Sequence, residues 1–273
     1  LALSDLEPAQ FARTLRPALG TDEQQSLAGL PIASVIHGVP LSRGLWQRLQ
    51  ALEFPASSAC HPQHPGYGNV SEPSSSANSL ACTPSLSKAQ VQGLLTGTLR
   101  DWRELQSPLA PGTNAANVAV PGIPPFASTT VFVERREASS GTQRAFEIFF
   151  HPRRCGEAGL AAPETGRVHV NRSDGELTAR LARHDLEGRG GIGMLPTTVP
   201  ARGGDRWRFV KVSGTPPNLR AAVSGQWELW FEGSLHFRRS GARGLPPASR
   251  EMQALATALA RGLGDPAVLR HLN

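Results

Sequence analysis

Apolar residues recur along the chain at two alternating spacings, one typical of strands and one typical of helices. The apolar run 31–39 predicts a strand, and a helix with Ser42 as its N-cap follows it. That helix has its apolar side chains on one face: Leu45, Trp46, Leu49 and Leu52. A second helix is predicted to begin after Ser87, with Gln90 completing a capping box, and to end at Gly97.

The same alternation continues through the second half of the chain. Further strands are predicted at 130–134, 190–195, 207–212 and 227–231. Helices are predicted after Gly141, after Ser173 with Glu176 as its capping-box partner, and after Ser249. Because strands alternate with helices, the sequence predicts an α/β fold with substantially parallel sheets.

Two long segments lack either spacing and are rich in residues that form turns. Residues 56–84 and 106–127 therefore read as loops. Cys60 and Cys82 flank most of the first loop, so a disulfide that closes it and a pair of free thiols are both open readings, and Cys155 is left over. The nearby histidines do not have the spacing of metal ligands, and we predict no metal site.

Charge and hydropathy exclude several classes of protein. The formal net charge is +6 over 273 residues, but the basic residues are scattered, so we predict no nucleic-acid partner. The chain contains no run of about 18 apolar residues, so the sequence predicts no membrane span. The first residues lack the basic and apolar regions of a signal peptide, as a mature secreted protein also would.

The turn between residues 136 and 142 has the most chemical information. It follows a predicted strand and opens a helix, whose first N–H groups form a natural anion site. Ser140 and Thr142 add hydroxyl donors, and Gly141 allows close backbone approach. Arg136, at the strand end, has a planar guanidinium that can bind two oxygens. The alternative is an ordinary helix that Ser139 or Ser140 caps, with Arg136 in solvent.

Four elements together resemble the periplasmic phosphate-binding protein of bacterial phosphate ABC importers. Arg136 with Ser140-Gly141-Thr142 matches the family pattern Arg-x-x-x-Ser-Gly-Thr. The segments 86–105, 190–193 and 4–8 resemble a helix with a tryptophan element, a Gly-x-Ile-Gly element and a Ser-Asp element, in family order. The nearest match is a divergent branch that also has Phe-Phe/Leu, Pro and Cys after the turn, as residues 149–155 do.

The resemblance implies a two-lobed, type II periplasmic-binding-protein-like fold that closes over an oxyanion. The first lobe would comprise 1–38 and 226–273, and the second 39–225. The implied ligand-binding residues are Asp5, Arg136, Ser139, Ser140, Gly141 and Thr142. The implied partners are inorganic phosphate or a similar oxyanion and an ABC permease, with no cofactor, in the periplasm or outside the cell.

The chain departs from the family pattern in two places. Ala138 stands where the family has an aspartate, so one carboxylate that would select protonated phosphate is missing. The family also has a βαβ portion before its Ser-Asp element, so a separate N-terminal piece is expected to complete the fold.

Two rival functions follow from the same residues. One is an interaction or sensor protein that kept the fold and lost or changed its ligand. The other is a hydrolase built on Ser140, Asp5 and one of three histidines, His37, His151 or His184. No Gly-x-Ser-x-Gly turn surrounds a serine, so we expect no enzyme.

Overall fold

The computed structural model describes residues 2–4, 21–72, 74–150, 166–241 and 246–265. Its strands are β1 Ala2–Ser4, β2 Leu27–Ser42, β3 Ser85–Leu86, β4 Ser128–Arg136, β5 Val168–Asn171, β6 Arg189–Gly193, β7 Leu195–Pro196, β8 Trp207–Val212 and β9 Trp230–Arg238. Its helices are α1 Thr21–Ser26, α2 Arg43–Glu53, α3 Lys88–Thr96, α4 Gly141–Phe150, α5 Asp174–Leu186, α6 Leu219–Val223 and α7 Arg250–Gly264. The α/β class that the sequence predicts is confirmed.

The chain forms two compact units, which share strand β2. The smaller unit contains α1, the first half of β2, β9 and α7. In it β1 pairs antiparallel with β9, and Leu3 lies opposite Leu235. Helix α7 begins at Ser249, whose side chain accepts a hydrogen bond from the N–H of Met252, as the cap signal predicts.

The larger unit extends from Ile36 to Leu229 and contains a mixed sheet. Strand β4 lies in parallel between β5 and β6, so these three strands end at the same edge of the sheet. The second half of β2 runs antiparallel to β6, β7 and β8. Helix α5 follows β5 and packs against β4 and β6, with Leu177 and Leu181 fully buried.

Local capping signals explain where most helices begin. Ser87 and Gln90 form the predicted capping box, and Gly97 ends α3 with a left-handed φ of 82°. Ser173 caps α5, but the carboxylate of Glu176 accepts from the N–H of Arg172 at 2.9 Å rather than completing the predicted box. Ser42 begins α2 without capping it, because its hydroxyl bonds to Arg189 and Gly191 of β6 instead.

Both predicted loops are present. Within the described part of residues 56–84, the only helix or strand is a short 3-10 turn at Ser76–Asn78. A disulfide joins Cys60 to Cys82 and closes this loop. The predicted strand at 227–231 is wrong in its bounds, because β9 begins at Trp230. Trp227 is buried by packing instead, and its indole N–H donates to the carbonyl oxygens of His37 and Leu229.

Candidate functional site

The predicted anion site lies at the carboxyl edge of the parallel strands β6, β4 and β5. Strand β4 ends at Arg136, a tight turn follows in which the N–H of Ser140 donates to the carbonyl of Glu137 at 2.9 Å, and α4 begins at Gly141. The carboxyl edge of parallel strands is where α/β proteins usually bind small ligands. The local fold therefore puts this turn in a suitable position for a ligand.

The first turn of α4 contains backbone N–H groups and hydroxyls that donate no hydrogen bond within the described chain. The first helical bond of α4 is donated by Arg144 to the carbonyl of Ser140 at 3.1 Å. Among the described residues, the N–H groups of Gly141, Thr142 and Gln143 have no hydrogen-bond partner, and neither do the hydroxyls of Ser140 and Thr142. The alternative of an ordinary serine-capped helix is therefore not what the described chain forms.

The guanidinium of Arg136 already has protein partners. It forms an ion pair with Asp174 and donates to the carbonyl oxygens of Asn171 at 3.3 Å and Arg172 at 3.0 Å. These groups belong to the end of β5 and the start of α5, so the side chain lies across the strand edge. The sequence did not predict the partner Asp174, whose side chain is 30% exposed.

The remaining predicted ligand residues differ in their exposure to solvent, and one of them lies outside the described residues. Ser139 and Ala138 are exposed in the turn, whereas Thr142 is buried. Asp5 lies outside the described residues. A cavity of about 10 Å³, room for about one water molecule, is lined in part by Arg136, Thr142 and Gln143.

A buried carboxylate that the sequence analysis missed lies two residues before Arg136. The side chain of Glu134 is 0% exposed, and its Oε1 lies 2.7 Å from Nε2 of His184 and 3.0 Å from Nδ1 of His169. Its Oε2 accepts from the amide of Asn171 at 2.8 Å. Burial alone would raise the pKa of Glu134, but the hydrogen bonds from His184 and Asn171 and the nearby imidazoles hold that pKa below its usual value.

Three glycines of β6 leave room for the groups that pack against this strand. A Cβ on Gly191 would lie 2.8 Å from Cδ2 of His184, and one on Gly193 would lie 3.0 Å from the carbonyl oxygen of Glu134. On Gly190 it would meet the indole of Trp102 at 2.1 Å. The Gly-x-Ile-Gly element at 190–193 thus lies in β6, against which bulky groups pack closely.

Two of the three histidines of the hypothetical catalytic triad lie in the part of the chain that the structure describes. His184 is engaged with Glu134, while His37 is buried at the start of the larger unit's part of β2. His151 lies outside the described residues. We find no hydrogen bond between Ser140 and any histidine in the ranges that the structure describes.

No helix in the described ranges combines the length and apolar character needed to cross a bilayer.

Comparison with known proteins identifies the fold. No protein-family profile and no curated sequence matches the chain. Among solved structures, it is similar to a phosphate ABC transporter substrate-binding protein with bound phosphate from Clostridium perfringens, at a TM-score of 0.51 and 13% identity. The match covers 92% of this chain and 71% of that one. An ABC-type phosphate transport receptor from Vibrio cholerae gives 0.51 and 14%, covering 92% and 72%. The periplasmic-binding-protein-like fold that the resemblance implies is confirmed.

Proposed function

We propose that this chain is a solute-binding protein for a small oxyanion, phosphate foremost, and that it binds the anion at the start of α4. The observation that most directly supports this is the set of unpartnered N–H groups of Gly141, Thr142 and Gln143. Free N–H groups and the positive end of the helix dipole attract an anion to the same point. The hydroxyls of Ser140 and Thr142 add two further donors.

Arg136 has a different role in this proposal from that of a free clamp. Its charge is partly neutralised by Asp174, so it adds less attraction than an unpaired guanidinium would. Asp174 in turn offers a carboxylate at the strand edge, where it pairs with Arg136. A carboxylate beside an anion site favours an oxyanion that still has a proton, and therefore phosphate over sulfate.

Titration calorimetry with phosphate, arsenate and sulfate tests the site. Thr142→Val keeps the shape of the side chain and removes its hydroxyl. Since a hydrogen bond to a charged group contributes about 1.5–3 kcal/mol, this variant should weaken phosphate binding by about ten-fold or more. Arg136→Ala should also weaken phosphate binding. Arg220→Ala, which removes an exposed arginine on α6, is its matched control and should bind as the unaltered chain does.

Asp174→Asn tests the selectivity argument separately. We expect the ratio of phosphate to sulfate affinity to fall in this variant, because the carboxylate that repels fully ionised sulfate is gone. An unchanged ratio of affinities would show that Asp174 is not part of the site, while the proposal for the start of α4 would stand.

The second candidate function is that of an interaction or sensor protein that kept the fold and lost or changed its ligand. The ion pair that Arg136 already forms with Asp174 favours it. In that case no oxyanion would bind to the folded chain.

We further propose that an ABC permease is the partner and that the protein works in the periplasm or outside the cell. The Cys60–Cys82 disulfide supports the location, because disulfides persist in oxidising compartments. Fractionation of cells that express the full-length protein tests the location, and recovery in the cytoplasm with reduced cysteines would contradict it.

A further inference from the structure

We propose that Glu134, His169 and His184 form a binding site for a divalent transition-metal ion such as Zn²⁺. This inference does not depend on the proposed oxyanion function. One ligand atom from each of the three side chains lies within 4.8 Å of the other two. Two imidazole nitrogens and one carboxylate oxygen are a donor set that first-row divalent metals bind in proteins.

Strand register and helix packing bring these three residues together. In the parallel pair β4 and β5, Glu134 lies opposite His169, so both side chains stand on the same face of the sheet. Helix α5 covers that face and contributes His184, whose ring stacks on Phe132 at 4.8 Å between centroids. Gly191 leaves the space that the His184 ring occupies.

The separations between the ligand atoms can be compared with those of a metal site. Zinc lies about 2.0–2.1 Å from nitrogen and oxygen ligands. In a tetrahedral site the ligand atoms are therefore about 3.3 Å apart. The separations from Glu134 Oε1 are 2.7 Å to Nε2 of His184 and 3.0 Å to Nδ1 of His169, and all three ligand atoms lie within 4.8 Å of one another. The two separations from Glu134 would open by a few tenths of an ångström when an ion binds, and the two imidazoles would both turn towards it.

The environment of the carboxylate fits a ligand with one oxygen on the metal. Oε2 of Glu134 is held by Asn171 at 2.8 Å, which leaves Oε1 for the ion. Hydrogen bonds of this kind orient ligating carboxylates in metal sites. The His169 side chain is 28% exposed, whereas that of Glu134 is 0% exposed, so an ion would enter past His169.

Two features of the site limit its affinity. Nε of Arg180 lies 4.0 Å from Oε2 of Glu134, and its positive charge opposes a cation. A metal on Nε2 of His184 also places a proton on Nδ1, which is buried and has no hydrogen-bond partner among the described residues. We therefore expect the site to bind its ion less tightly than one without these two features. Arg180→Gln should tighten metal binding several-fold.

The test uses the untagged chain, since an affinity tag of histidines would bind the same ions. Calorimetry with ZnCl₂ should give one ion per chain, and CoCl₂ should produce the visible absorption bands of cobalt bound to nitrogen and oxygen ligands. His169→Ala removes the most exposed ligand and should abolish both signals. His64→Ala removes a histidine from the 56–84 loop and should leave them unchanged.

The outcomes are decisive provided that each variant is folded, which circular dichroism will establish. Loss of the cobalt bands in His169→Ala and their retention in His64→Ala support the site. Absence of the bands from the unaltered folded chain would overturn it, as would bands that survive His169→Ala. Glu134→Gln, a nearly isosteric change, is the second variant if His169→Ala does not fold. A metal site that fails this test leaves the oxyanion titration unaffected.

Discussion

Gly190→Ala tests the packing between β6 and the 3-10 turn at Trp102–Glu104. Trp102 is fully buried, and its indole N–H donates to the carbonyl oxygen of Gly190 at 3.2 Å. A Cβ on residue 190 would lie 2.1 Å from Nε1 and 2.6 Å from Cε2 of that indole. Unstrained contacts between such atoms are about 3.5–4.0 Å. The indole would therefore have to move by more than about 1 Å.

The cost of that movement follows from the burial of Trp102. Overpacking of a filled core costs about 1–3 kcal/mol, and loss of the indole hydrogen bond adds about 1 kcal/mol. We expect the free energy of unfolding to fall by about 3 kcal/mol in Gly190→Ala. At about 2–4 °C per kcal/mol, the melting temperature should fall by about 10 °C.

Urea unfolding followed by far-ultraviolet circular dichroism measures this change. Gly204→Ala is the matched control, since a Cβ there meets no atom within 4 Å in the described part of the chain. It should change the unfolding free energy by less than about 0.5 kcal/mol. If Gly190→Ala also stays within about 1 kcal/mol of the unaltered chain, Trp102 does not pack on β6 as described.

Three further predictions concern ionisation and the disulfide. Burial raises the pKa of Tyr67, the single tyrosine, to about 12. Its tyrosinate absorbance should therefore appear at a pH about two units higher in the folded chain than in denaturant, and the free energy of unfolding should fall above about pH 10. A tyrosinate absorbance that rises near pH 10 in the folded chain would refute this. Hydrogen bonds from Arg103 and Thr129 lower the pKa of Asp101 to about 2. Asp101→Asn should therefore destabilise the chain by about 1 kcal/mol, after allowance for the exposure of Arg103. That difference should be full above about pH 4 and fade as the pH falls towards 2; a pH-independent difference would contradict it. Reduction of the disulfide, which spans 22 residues, should lower the unfolding free energy by about 3 kcal/mol in urea titrations, and three titratable thiols in the unreduced, denatured chain would exclude the bridge.

Local signals predicted the helices well because they act over a few residues. The capping box of Ser87 and Gln90 and the cap at Ser249 are formed as the sequence predicts. Ser42 shows the limit of such reasoning. Its hydroxyl bonds to β6, which lies about 150 positions further along the chain, so no local pattern could reveal that partner.

Strand bounds and site partners depend on contacts between distant parts of the chain. The apolar pattern around Trp227 predicted a strand, but Trp227 and Leu229 are buried by side-chain packing before β9 begins. The turn after Arg136 was predicted from residues that are adjacent in sequence. By contrast, the pairing of Arg136 with Asp174 depends on the register of β4 with β5, which periodicity alone does not determine.

The cluster around Glu134 was missed for the same reason. Its three residues come from two strands and a helix, at spacings that match no metal motif. One signal was available in the sequence: a glutamate within an apolar strand pattern must find a partner if it is buried. Prediction of that partner would have required the parallel pairing of Glu134 with His169.

Direct titration of phosphate into the unaltered chain tests the central claim most directly. The sample should be unfolded, dialysed free of bound anions and refolded with its disulfide intact, and the calorimetry repeated at two temperatures because a binding enthalpy can vanish at one of them. We predict one phosphate per chain, with affinity reduced about ten-fold or more by Thr142→Val. The absence of heat at both temperatures from a folded sample would contradict the assignment of an oxyanion site at the start of α4.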